Sequence, residues 1–227
     1  IAVMDIRKLR RVLDGEPLAM SLYRLAEEGE DTLRLRLYHP GSSLPLSDVL
    51  PILENLGLRV LTERPYEVRT SDGMRYWVQE FGIVYGLAHN IVVREVKAEF
   101  EDAFGRIWFG GAENDYFNRL LIGSRLNWRE IALLRAYARY LRQLQFPFSV
   151  EYMAETMANH LPISAGIVEL FLTRLSPAFE GDENWRAERE AAVEQRVLDA
   201  LEQVENLGED RIIRQYLSVV KATQRTN

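Results

Sequence analysis

Three histidines, at positions 39, 89 and 160, are the side chains of this sequence best suited to moving a proton near neutral pH. Each stands alone, without a second histidine or a carboxylate at a spacing that would complete a metal set. His39 opens the stretch His39-Pro40-Gly41-Ser42-Ser43. There the glycine permits close backbone approach, and the serines offer hydroxyls and amide protons to a small polar ligand. The plainer account of His39 is an exposed loop histidine. Glu113, Asn114, Asp115 and Asn118 also crowd together, but Asn and Asp gather at helix starts for backbone reasons. Asn114 or Asp115 is therefore expected to cap a helix, with Phe117, Leu120 and Leu121 facing inward. The sequence has no cysteine, hence no thiolate nucleophile, disulfide framework or thiolate zinc site. It has no GxGxxG after a strand, no Walker loop, no HExxH and no GxSxG. No catalytic, cofactor-binding or metal-ligating residue is expected in it.

The 227 residues carry 28 Lys and Arg against 34 Asp and Glu, a formal charge of −6. That balance argues against a surface that tracks nucleic-acid phosphates. Trp77, Trp108, Trp128 and Trp185 do not have the spacing of a base-stacking platform. Arg129, Arg135, Arg139 and Arg142 line one helix whose other side is Ile131, Leu134, Ala138 and Leu141, which reads as a solvated or interface face. No stretch approaches the ~20 apolar residues of a membrane helix. The opening IAVMDIRKLRRVLDG has charges where a secretory signal is apolar. A cytoplasmic protein without membrane or nucleic-acid partners is expected. The first residue, Ile1, suggests a piece of a longer chain.

Residues 1–30 read as a helical linker. Ile6, Leu9, Val12 and Leu13 share one face, Leu18, Leu22 and Leu25 another, and Gly15 and Pro17 separate them. From Thr32 the period becomes two: Leu33, Leu35 and Leu37 alternate with Arg34, Arg36 and Tyr38. After the Pro-Gly loop, Ser47 is the expected N-cap of a helix striped by Val49, Leu50, Leu53 and Leu56, with Pro51 in its first turn and Gly57 ending it. LRVLTERPYEVRT is a second strand, in which Pro65 marks an edge or a bend. After the turn SDG, MRYWVQEFGIVYG pairs back as a third strand. A helix over 93–108 carries Val96, Phe100, Phe104 and Ile107. The order β-α-β-β-α is a split βαβ arrangement, which normally closes with a fourth strand, and no fourth strand is evident. Its first and third strands are expected side by side, the three leucines toward the helices and the two arginines on the opposite face. Beyond GGAEND the chain reads as helices over about 115–122, 128–144, 149–159, 164–174, 183–206 and 209–223. In the 183–206 helix, Val193, Val197, Leu201 and Val204 form a stripe that packs on a neighbour.

The strand, loop and helix that begin at Thr32 resemble an ACT-type regulatory domain, through Pro40, Gly41, Leu44, Gly57 and Val60, with a longer loop, SSLPLS. LPLSDVLPILENLGLRVLTERPYEV, NDYFNRLLIGSRLNWREIALLRAYARYLRQ, FLTRLSP and EDRIIRQYLSVVKATQRTN together resemble the large, NAD-specific bacterial glutamate dehydrogenases, from about Thr32 to Asn227. The resemblance implies an α+β protein: an ACT-like, ferredoxin-like domain over 31–112, followed by an all-helical region over 113–227. It implies a non-catalytic segment upstream of a dehydrogenase domain that lies outside this sequence. The parent would convert glutamate and NAD to 2-oxoglutarate, ammonia and NADH. The segment's partners would be its own catalytic domain, other subunits of a homo-oligomer and an amino-acid effector held by residues 39–43. The alternative is a structural oligomerisation scaffold with no ligand.

Overall fold

The computed structural model describes residues 2–29, 32–86, 91–177 and 182–224. His89 lies outside the described residues. The chain divides into two compact units, residues 1–118 and 119–227.

The first unit runs α1 (Ala2–Leu13), β1 (Ala19–Tyr23), β2 (Thr32–Pro40), α2 (Leu46–Asn55), β3 (Leu58–Arg69), β4 (Arg75–Tyr85) and α3 (Val93–Trp108). Its four strands form one antiparallel sheet in the order β1-β2-β4-β3. The missing fourth strand is β1, and it precedes the split βαβ pattern instead of following it. A second helix was the expectation for these residues, because Leu18, Leu22 and Leu25 fall at helical spacing. The five residues AMSLY instead pair with β2, Leu22 opposite Leu35 and Ser21 opposite Arg36. Sheet pairing prevails because it gives hydrogen-bond partners to the backbone of a buried β2 edge. Burial on both faces hides the alternation that would have marked the strand.

As expected, β2 and β4 lie side by side, with Leu33, Leu35 and Leu37 opposite Ile83, Phe81 and Gln79. The three leucines are fully buried on the face that carries α3, where a Cβ on Gly105 would stand 3.8 Å from Met20. Arg34 and Arg36 do take the opposite face. That face is not left to solvent, because α1 covers it: Val12 packs there with Ala19, Tyr38, Tyr76 and Val78. β3 is an edge strand, in keeping with Pro65, and its register shifts between Val60 and Thr62. Ser47 is not the cap of α2, because Pro45 already occupies that position in extended conformation. Pro51 therefore falls inside the helix, where it offers the Ser47 carbonyl no amide donor. The Asp115 carboxylate accepts the Phe117 amide at 3.1 Å and starts a single 3-10 turn, Tyr116–Arg119, in the capping role expected there.

The second unit consists of α4 (Leu120–Gly123), α5 (Trp128–Gln143), α6 (Val150–Asn159), α7 (Leu161–Leu175), α8 (Glu183–Leu201) and α9 (Leu207–Ala222). Side-chain caps fix several starts. Asn127 and Glu130 form a reciprocal capping box on α5, Ser149 caps α6 and Asn206 caps α9. Val193, Val197 and Leu201 are buried as expected, while Val204 falls beyond the end of α8. Arg135 corrects the reading of α5 as a plain arginine face. It is buried, because it stands four residues after Ile131 and three before Ala138 on the packed side.

Gly166 sets the approach of α7 to α8, since a Cβ there would come within 2.5 Å of the Val197 Cγ2. Gly166→Leu is expected to destabilise this unit by about 1–3 kcal/mol through overpacking. Gly166→Ala would blur the result, because helix propensity returns roughly 1 kcal/mol. Urea unfolding followed by circular dichroism reads the loss, and Val197→Ala should recover part of it.

Candidate functional site

The loop 39–43 and the sheet beneath it show what the polar residues of the first unit can do. His39 is the penultimate residue of β2 and is buried, contrary to the expectation of an exposed loop histidine. It shares a face with Leu37, and its Nε2 stands 2.9 Å from Oε1 of Gln79. Gln79 is 1% exposed. Its Oε1 also accepts the Leu44 amide at 2.7 Å, and its Nε2 donates to the Leu44 carbonyl and to Glu63, each at 3.2 Å. Pro40, Gly41, Ser42 and Ser43 are exposed. Gly41 has φ of 91°, donates its amide to the Arg75 carbonyl and accepts the Trp77 indole N–H at 3.1 Å. The Gln79 carboxamide thus bridges His39 at the end of β2 and Leu44 at the far end of the loop, while Trp77 and Arg75 hold Gly41.

Burial lowers the pKa of His39 below its ordinary 6.5, against hydrogen bonds from Gln79 and Pro40 that work the other way. On acidification the unfolded chain therefore takes the proton first. His39 contributes stability that is fully present above about 6.5 and declines as the pH falls below it. Thermal melts of wild type and His39→Gln at pH 7.5 and 5.5 are expected to show a smaller acid loss in the variant.

A second polar cluster lies on the opposite face, under α1, where Glu80 is 6% exposed. The Arg36 Nε donates to Glu80 Oε2 at 2.6 Å, and its Nη1 donates to Asp5 of α1 at 2.6 Å. Arg34 joins Glu80 at 3.1 Å and Glu28 at 2.8 Å. The Tyr23 hydroxyl donates to Glu80 at 2.6 Å, the Tyr38 hydroxyl donates to Asp5 at 2.5 Å, and Arg36 lies 5.4 Å over the Tyr23 ring. Burial followed by the bond to Glu80 pushes the Tyr23 phenol far above its usual range, and burial with Asp5 does the same to Tyr38. Both remain neutral donors. Burial works to raise the Glu80 carboxyl as well, but Tyr23, Arg36 and the charge of Arg34 outweigh it and hold the pKa below normal. Apart from the buried Glu28 Oε2, which has no hydrogen-bond partner among the described residues, the acids and bases of this cluster satisfy one another, which suits it to fastening α1 to the sheet.

Sequence reasoning missed Gln79, Glu80, Asp5 and Tyr23. One signal was available: two adjacent polar residues interrupt the otherwise apolar β4, and a buried polar group demands partners. Glu113, Asn114 and Asp115 stay at the 3-10 turn, and His160 stands apart at the α6–α7 junction, paired with Glu209 at 2.8 Å. Among the described residues no three His, Asp or Glu side chains are grouped to hold a metal, and no helix is long and apolar enough to cross a membrane.

A four-stranded antiparallel sheet with α2 and α3 on one face defines an ACT-type domain, here followed by a helical module. Residues 17–96 match the family described as glutamate dehydrogenase, ACT3 domain, and residues 112–177 match glutamate dehydrogenase, helical motif 3. The first match begins just ahead of β1 and so includes the strand that the period missed. The NAD-specific glutamate dehydrogenases of Halomonas elongata and Pseudomonas aeruginosa are 46% and 44% identical over 226 residues, and that of Mycobacterium tuberculosis is 34% identical over 232. All of this chain is covered in each, and it spans 14% of the length of each relative. The chain thus carries a glutamate dehydrogenase ACT3 domain followed by glutamate dehydrogenase helical motif 3.

Proposed function

We propose that this chain is a regulatory or architectural segment of an NAD-dependent glutamate dehydrogenase, upstream of the catalytic domain. The parent enzyme converts glutamate and NAD to 2-oxoglutarate, ammonia and NADH in the cytoplasm, as a homo-oligomer. The segment itself performs no chemistry. The observation that carries this reading is the match of the two successive family modules along a chain that is 14% of its relatives' length. The purified chain is expected neither to oxidise glutamate nor to bind NAD, because it has no glycine-rich loop to cradle a pyrophosphate at a helix start. Glutamate-dependent NADH production, or saturable NAD binding at micromolar concentration, contradicts the proposal.

Within this reading the Gln79 bonds favour architecture over sensing. They already satisfy the Leu44 backbone that a ligand at residues 39–43 would use. Titration calorimetry with a panel of amino acids divides the two roles. Saturable heat that a bulky replacement of Gly41 abolishes supports an effector site. Absence of heat with every amino acid supports the scaffold.

A further inference from the structure

β1 is an edge strand, and α1 and α3 meet past its free side. Glu101 of α3 accepts the Leu22 amide at 3.2 Å, and Lys97 donates to the Leu22 carbonyl at 2.9 Å, so side chains of α3 partner the open backbone of this edge. Lys8 of α1 donates to Glu101 at 3.1 Å and ties the two helices together. Beside this tie lies a cleft of about 510 Å³, within the ~300–1,000 Å³ of small-ligand sites. Leu18 and Met20 form its apolar floor, and Phe109, 58% exposed, stands at its rim.

The walls of the cleft carry opposite charges with bonding capacity to spare. Arg11 on α1 spends its Nε and Nη2 on Glu16, and its Nη1 has no partner among the described residues. Asp102 on α3 receives the Arg106 Nε on one oxygen at a long 3.4 Å, and its second oxygen accepts no bond among the described residues. Gly105 leaves the floor uncovered. Its backbone lies outside the left-handed region, and a Cβ there would meet only Met20, at an ordinary 3.8 Å. Glycine weakens a helix relative to alanine, so neither conformation nor packing accounts for it within α3. An unfilled cleft does. We propose that this cleft binds an α-amino acid with an aliphatic side chain. The carboxylate faces Arg11, the ammonium faces Asp102, and the side chain lies over Met20 beside Phe109. A polyanion would instead meet Glu16, Glu101 and Asp102 as like charges. The site is distinct from residues 39–43, where Gln79 already holds Leu44. It deepens the regulatory form of the proposed function and rests on that reading for its effect on the enzyme.

Titration calorimetry of the 227-residue chain with L-leucine as the probe tests this. Saturable heat is expected. Affinity should be at least tenfold lower for 4-methylpentanoate, which lacks the ammonium, and for 3-methylbutylamine, which lacks the carboxylate. Gly105→Leu fills the cleft and should weaken leucine binding at least tenfold, while the urea midpoint holds or rises because leucine is the better helix former. Arg11→Gln should weaken leucine at least fivefold and leave 3-methylbutylamine unchanged. Asp102→Asn should do the same to leucine and leave 4-methylpentanoate unchanged. No saturable heat with leucine, valine or methionine overturns the proposal, as does equal affinity for leucine and the two analogues, or undiminished binding by Gly105→Leu. Binding that a bulky replacement of Gly41 abolishes assigns the ligand to residues 39–43 and also overturns it. A parent enzyme whose leucine binding is lost in Gly105→Leu, yet which fails to reduce NAD with glutamate, overturns the functional reading alone.

Discussion

Glu80→Ala is expected to destabilise the first unit by about 3–5 kcal/mol, the loss typical when one partner of a buried ion pair is removed. The carboxylate stands between two guanidinium groups whose side chains are only 18% and 17% exposed, Arg34 and Arg36. Without it, Arg34 keeps only Glu28 and Arg36 only Asp5, the two guanidinium groups face each other with little water to screen them, and the Tyr23 hydroxyl loses its acceptor. Glu67, bonded to Arg69 on the exposed β3 edge, provides the comparison, and Glu67→Ala should leave the urea midpoint unchanged. A combined Glu80→Leu and Arg34→Met variant should recover part of the loss, because it removes one of the two guanidinium groups left facing each other, although Glu28 then loses its arginine. A loss under about 1 kcal/mol for Glu80→Ala would show the cluster to be solvated. The carboxylate also has a pH signature. Its folded-state pKa is depressed below the ordinary 4.5, so its contribution is present above that value and is lost as the pH falls through the lower folded one.

The readable parts of the fold are those whose signal lies within one element. β2 announced itself because one buried face and one polar face give a clean period of two. α5, α6 and α9 carried Asn127, Ser149 and Asn206 at their starts, and a local cap is local information. β1 was unreadable because a short strand buried on both faces offers no alternation, and its apolar spacing fits a helix as well. The candidate site was legible only in outline. The Pro-Gly turn could be seen, but its state depends on Gln79, 35 residues beyond Leu44, and on a register that no local pattern fixes. The same holds for Asp5 and Glu80, which meet at Arg36 across separations of 31 and 44 residues. Arg34 and Arg36 were placed on the correct face, yet seeing that this face is covered required knowing that α1 returns over it.

Deleting residues 2–24 is expected to unfold the first unit, a larger effect than any point substitution. The deletion removes Val12, Leu18, Met20 and Leu22, all buried. At about 1.5–3 kcal/mol for each large apolar side chain, that is on the order of 6–12 kcal/mol. A whole domain of this kind has a net stability of roughly 5–15 kcal/mol. The deletion also takes away the β1 backbone opposite β2, the cover over Tyr38, and the Asp5 carboxylate that holds Arg36. Hydrogen exchange read by mass spectrometry should show the amides of 32–85 unprotected, while those of α5, α7 and α9 keep their protection. Deleting only residues 2–14 separates the two contributions. The sheet should then persist with all four strands, because β1 remains paired, but with a lower urea midpoint and faster exchange at Tyr38 and Val78. Full protection of 32–85 after the longer deletion would show that β2 is stable as an open edge and that a domain boundary at residue 31 suffices.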